Sequence, residues 1–324
     1  MRTRHVSALV ALVLGLPGVA LADSLYISSF NSNAVYKVDA TTGALQQTIS
    51  APNFLVSPSG LALSPDGSRL YVSGTNTSNA DVYVFDPTSG SLVTQFSSSL
   101  TGGRGLALSS DGSTLYQSGV GSDTIEVYNT VTGVGSLGTS GLNNPQGLAL
   151  SSDGNTLFAA NSGGNNIREF AVHAGGITGT LNAPGSFYSP SDVVLSPDGS
   201  TLYVSTFGDG GAATNHQILR YNATTGSYLG SWTVTGPGGD LYGMAITPDG
   251  STLYVADVFN SLLYTVNTST GASAEFSTVA PLNGPAFILY VPTAVPEPSS
   301  LALMGLGAVG LAVSAWRRRR PPAV

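Results

Sequence analysis

An aspartate at position 192 stands where four related stretches of the chain carry glycine, at positions 60, 105, 147 and 243. A carboxylate there can ligate a cation, take a proton or accept a hydrogen bond, three chemistries open to one side chain. Ser59, Arg104, Gln146, Asp192 and Tyr242 end equivalent connecting segments, so one architecture must bring all five around a common point. Asp257 and His216 fall in a second set of connections, and His216 follows Asp209 and Asn215 in the longest of them, residues 207 to 216. The other histidine of the body, His173, sits beside a glycine turn and reads as a solvated turn residue.

The same inventory excludes much. With no cysteine, there is no disulfide, no thiolate nucleophile and no Cys-based zinc site. No glycine-rich phosphate loop, paired catalytic carboxylates, His-x-His pattern or nucleophile elbow occurs. Glu126, Glu169 and Glu275 are the only glutamates before the C-terminal tail, and none is in register with the five segment ends. The body's five basic residues, Lys37, Arg69, Arg104, Arg168 and Arg220, face 18 acidic ones, all between Asp23 and Glu297. That imbalance argues against a nucleic-acid partner, which needs a Lys/Arg surface.

The elements that position these residues come from an internal repeat. "GLALSPDGSRLYVS" (60 to 73) recurs at 105, 147, 192 and 243, and its Asp-Gly turns begin at 66, 111, 153, 198 and 249, spacings of 45, 42, 45 and 51. That period is one four-stranded blade of a β-propeller. Asp before Gly closes a tight hairpin by bonding its own backbone, so these five aspartates are structural. The apolar runs beside the turn predict strands buried on both faces. Phrases such as "VYVFDPTSG" (82 to 90) and "LRYNATTG" (219 to 226) supply the third strand and the turn to the fourth. The Leu-aromatic step at Leu25, Leu70, Leu115, Leu157, Leu202 and Leu253 counts six blades, with seven as the runner-up. The first blade lacks its innermost strand, and "GPAFILYVP" (284 to 292) supplies it from the other end of the chain.

The ends carry addresses. Arg2 and Arg4, the apolar run from Val6 to Val19 and the small-residue site at Ala20 and Ala22 form a Sec-type signal peptide, residues 1–22. It implies the Sec translocon and signal peptidase as partners. At the other end, "VPEP" (295 to 298) precedes an uncharged run and then Arg317, Arg318, Arg319 and Arg320. A short membrane-spanning segment over 300–316, with the arginines held on the cytoplasmic side, fits this order. The alternative is a plain, uncut anchor.

Two resemblances follow. The propeller phrase is similar to YVTN-type and NHL-like repeats over roughly Ser24 to Pro292, which implies the fold more than a function. Pro296, Glu297 and Pro298, the apolar segment and the arginine cluster resemble the PEP-CTERM sorting signal of Gram-negative bacteria. That resemblance implies recognition and cleavage by an exosortase, and delivery to the cell envelope, surface or extracellular matrix.

The expected protein is an all-β, six-bladed propeller over residues 23–292, followed by a sorting signal over 293–324. Its expected role is a non-enzymatic, biofilm- or exopolysaccharide-associated interaction module, with a polysaccharide or envelope protein as ligand. Arg104, Gln146, Asp192, Tyr242, Asp257 and His216 are the candidate ligand-binding residues, with no catalytic residue, cofactor or metal assigned. The alternative is a periplasmic, lactonase-like or other hydrolytic propeller holding a divalent cation in its channel, where Asp192, Asp257 and Asn161 mimic part of the ligand set.

Overall fold

The computed structural model describes residues 22–293 apart from 52–53, 75–79, 140, 173–175, 183–188, 208–215 and 237–238. The signal peptide up to residue 21, the sorting tail with its membrane segment, His173, Asp209 and Asn215 lie outside the described residues. Among those described, no helix is long and apolar enough to cross a membrane.

The described strands form six antiparallel sheets of four. The innermost strands, numbered by blade, are Pro285–Val291 (blade 1), Leu61–Leu63, Gly103–Leu108, Pro145–Leu150, Pro190–Leu195 and Leu241–Ile246 (blade 6). Each packs against the innermost strand of the next blade, and the sixth packs against the first, so the ring is closed. Blade 1 is completed as the sequence predicts. Pro285–Val291 pairs antiparallel with Ser24–Ser29, with Ser24 opposite Val291 and Ile27 opposite Ile288.

Six apolar clusters, one between each pair of neighbouring blades, make the core. Leu70, Val72 and Phe85 of blade 2 meet Tyr26, Val35 and Ile49 of blade 1, whereas Tyr71, Val82 and Val84 on the opposite face meet Leu106, Leu115 and Tyr128 of blade 3. Unbroken apolar strands are needed because both faces of each blade are buried in this way.

Asp-Gly turns close the first hairpin of five blades. Asp111 Oδ1 accepts the Ser113 N–H at 3.0 Å and the Ser109 hydroxyl at 2.6 Å, and Gly112 takes φ +73°. Only glycine adopts that left-handed angle without a steric cost. The turns after the third strands repeat the device, with Asp39, Asp86, Asn129, Asn222 and Asn267 each accepting two successive backbone N–H groups. Both kinds of turn share one face of the disc, and the connections after second strands and before first strands share the other.

The two ends of the described chain meet on the turn face. Asp23 accepts the Thr293 N–H at 2.8 Å, the Thr293 hydroxyl at 2.7 Å and the Tyr290 hydroxyl. Beside them, the Ala40 N–H donates to the Asp23 carbonyl at 2.8 Å.

Candidate functional site

The channel narrows at a ring of glycines. A Cβ on Gly147 would lie 2.6 Å from Asp192 Cα, and one on Gly105 would lie 2.5 Å from the Gln146 carbonyl oxygen. The innermost strands therefore approach too closely for a side chain at most of these positions. Beside the ring, Ser28, Ser73, Ser118 and Ser205 of the second strands are fully buried. Ser118 accepts the Gly105 N–H at 2.9 Å and donates to the Gln146 carbonyl at 2.5 Å, and Ser205 donates to the Tyr242 carbonyl at 2.5 Å. These hydroxyls tie one blade's hairpin to the next blade's inner strand and so fix where the mouth residues stand.

Strand register places Ser59, Arg104, Gln146, Ser191, Tyr242 and Ala286 at one level, the loop-face end of the innermost strands. Asp192 lies one residue deeper, opposite Ser205 and level with the glycines. It is 4% exposed, and its Oδ2 accepts the Met244 N–H at 2.8 Å. Burial without a neighbouring cation pushes its carboxyl up to about 8, against the pull of the Met244 and Val193 backbone N–H groups.

Above this level the loop face opens into two adjoining depressions. The first, about 290 Å³, is walled by Phe30, Phe207, Tyr242, Val258, Phe259 and Ala286, with Asn31 and Arg104 as its polar groups. The second, about 220 Å³, is lined by Asn144, Gln146, Ser162, Ser189, Ser191 and the shared Phe207 and Tyr242. Between them the Tyr242 hydroxyl donates to Gln146 Oε1 at 2.8 Å, and Gln146 Nε2 donates to Asn144 Oδ1 at 2.9 Å. The hydroxyl is held well above its usual range, first by burial and then by the charges of Asp192 and Asp240, with Arg104 opposing them. The Phe207 ring meets Tyr242 edge-on at 5.9 Å between centroids, and Phe259, 69% exposed, leans on Phe207 at 6.0 Å.

Of the candidate residues, the structure gathers Arg104, Gln146 and Tyr242 at the mouth and seats Asp192 beneath them. Asp257 is buried, and its two carboxylate oxygens accept the Asn260 backbone N–H at 3.0 Å and the Asn260 side-chain amide at 2.9 Å. His216 turns a ring nitrogen to the Gly239 N–H, 3.0 Å from Nε2, while its carbonyl accepts the Val234 N–H at 2.8 Å. Both residues staple loops. Asn161, the third residue of the mimicked cation set, accepts the Asn143 N–H at 2.6 Å and donates to Asn166 at 2.9 Å. Among the described residues no three His, Asp or Glu side chains converge as cation ligands.

The sequence signals for Ser191 and for the aromatic rim were faint. Serine is too common here to stand out, and Phe30, Phe207 and Phe259 sit in segments that do not repeat. Their one signal is a large apolar residue in a polar connection just after a second strand.

Residues 294–320 match the PEP-CTERM protein-sorting motif. The chain carries a PEP-CTERM sorting signal. Such a motif implies exosortase processing and an exported, membrane-anchored precursor in a Gram-negative envelope. Within the propeller, residues 75–208 match the SMP-30/Gluconolactonase/LRE-like region and residues 22–105 match the seven-bladed lactonase β-propeller family. Each covers less than half of the chain, and the blade number here is six. No curated protein matches the sequence. Among solved structures, the hydrazine synthase of Kuenenia stuttgartiensis is similar at 20% identity and TM-score 0.61, over 84% of this chain and 93% of that one. A chain of the nidogen/laminin complex is similar at 14% identity and TM-score 0.67, over 83% and 98%. At these identities the likeness is one of fold.

Proposed function

We propose that this is a sorted, exported display propeller: a binding module of the cell surface or extracellular matrix whose ligand enters at the loop-face mouth. The observation that carries the reading is the clasp of Asp23, Tyr290 and Thr293. It ends the propeller on the turn face, one residue before the sorting motif begins at 294. The tail therefore leaves from the face opposite the mouth, and a precursor anchored through it holds the mouth away from the membrane. The ring is already closed at Pro285–Val291, so cutting the tail costs the propeller no strand.

The contents of the mouth support binding. It offers aromatic faces, an amide–hydroxyl chain and one guanidinium, the mixture of apolar walls and few oriented polar groups typical of ligand sites. A polysaccharide or envelope protein of the matrix is the ligand class in view.

Fractionation of the native host followed by intact-mass measurement tests the sorting half of this reading. A chain recovered from the envelope or the medium, beginning at Asp23 and ending near Pro296 to Pro298, is expected. A mature chain that still carries Arg320, or one retained in the cytoplasm, overturns it.

A further inference from the structure

The mouth contains a cation that no carboxylate among the described residues answers. The Arg104 guanidinium lies 4.8 Å from the centroid of the Phe30 ring, and its Nε is buried with no hydrogen-bond partner. The body's other arginines are engaged: Arg69 donates to the Ser68 carbonyl at 2.9 Å, Arg168 to Thr180 Oγ1 at 2.6 Å and Arg220 to the Leu229 carbonyl at 3.3 Å. Among the described residues, the Arg104 guanidinium alone of the four makes no hydrogen bond or ion pair. Neither depression is lined by a carboxylate among the described residues, and Arg104 is the one described Lys or Arg in either. A half-buried guanidinium held over an aromatic ring is pre-oriented, and its free N–H groups match a carboxylate two at a time.

The shape of the mouth narrows the ligand further. Beside the cationic, aromatic lobe lies a lobe of amides and hydroxyls, joined to it through Phe207 and Tyr242. A small free carboxylate would fill the first lobe only. A chain of sugar rings fills both, its acidic unit against the aromatic walls and its neighbour's hydroxyls facing Asn144, Gln146, Ser189 and Ser191. The two lobes together fall within the range of ligand sites, about 300–1,000 Å³.

We infer that the mouth binds a uronate-bearing oligosaccharide, with the carboxylate of one unit paired to Arg104 and the next unit held in the polar lobe. This rests on the reading of the mouth as the binding surface. Because the body carries many more acidic than basic residues, no long-range field draws the ligand in. Selectivity for the acid therefore depends on the Arg104 contact itself.

The test is calorimetric titration of the exported protein and its variants with defined probes. These are galacturonate and mannuronate di- to tetrasaccharides, a neutral galactose tetrasaccharide and benzoate. At least one oligouronate is expected to bind ten times or more tightly than the neutral sugar and than benzoate. Arg104→Gln is expected to lose ten-fold or more of that affinity, and Arg104→Lys to keep part of it, both with an unchanged melting temperature. Unchanged binding in Arg104→Gln overturns the inference, as does equal binding of the neutral sugar, equal binding of benzoate or no binding of any oligouronate. A double variant, Phe207→Ser with Phe259→Ser, separates this from failure of the wider reading. If the protein's retention on its own matrix is lost in the double variant and kept in Arg104→Gln, the mouth is the binding surface and its ligand is not acidic. If retention ignores both variants, both readings fall.

Discussion

The two faces of the disc are built from the same strands and behave oppositely. On the turn face the phrase repeats: Asp66, Asp111, Asp153 and Asp198 each accept hydrogen bonds from Ser or Asn neighbours within two residues, and those bonds hold their carboxyls down to about 2. On the loop face one staple repeats, Asn33, Asp123 and Asn165 accepting the N–H groups of Ser57, Asn144 and Ser189, but the residues of the mouth do not. Three phenylalanines from three blades gather at one place, an arginine is left unpaired, and the aspartate beneath them is pushed up to about 8. Repetition here carries stability, and departures from it carry the candidate function, as loops on a rigid scaffold commonly do.

The largest effect should come from closing the channel. In Gly147→Ala the new Cβ meets Asp192 Cα at 2.6 Å, a backbone neighbour that cannot rotate away, and overpacking of this kind costs about 3 kcal/mol. Gly67→Ala on the turn face meets nothing within 4 Å and pays only for its φ of +70°, about 1 kcal/mol. Denaturant unfolding of the two variants side by side measures the difference; equal losses would erase the distinction between a packed ring and an open turn.

Next in size is a pH effect at Asp192. Its folded pKa lies above the unfolded value, so the native state binds the extra proton and stability falls as pH rises from about 4 to about 8. Asp192→Asn keeps an acceptor for the Met244 N–H and cannot ionise. It should flatten that slope and gain about 2 kcal/mol at pH 8. A slope unchanged by the substitution would show that the carboxylate is solvated after all.

Asp23→Ala removes the acceptor shared by Tyr290 and Thr293 and should cost about 1 kcal/mol at pH 7, since the clasp is partly exposed. Hydrogen bonds, chiefly that from Tyr290, hold the Asp23 carboxyl below its usual range. The clasp's contribution is therefore present above about pH 4 and fades as pH falls through the folded value, so wild type and variant should converge in acid. Smallest is Asp111→Asn, which should leave neutral stability nearly unchanged and remove only that turn's share of the loss between pH 4 and 2. Unfolding midpoints across pH check both.

Six blades and their closure were legible because turn chemistry is local. Leu25, Leu70, Leu115, Leu157, Leu202 and Leu253, which set the count, are all buried in the inter-blade clusters. Arg104, Gln146 and Tyr242 were legible as a set because residues preceding a repeated glycine inherit one register. Asp192 was read one level too high: it replaces the glycine itself, so its equivalent at the mouth is Ser191. Asp257 and His216 were drawn into their own loops by Asn260 and Gly239, partners that no repeat could reveal. The meeting of Phe30, Phe207 and Phe259 depends on loops far apart in sequence, so only the closed ring shows it.

The most direct measurement of the loop face as the working face is retention of the exported protein on its native extracellular matrix. Three chains are compared under one ionic strength: wild type, the mouth variant Phe207→Ser with Phe259→Ser, and the turn-face variant Arg69→Gln. Retention equal to wild type is expected for the turn variant, with a loss of ten-fold or more for the mouth variant. Full retention by the mouth variant, or a loss confined to the turn variant, would contradict the assignment of the two faces.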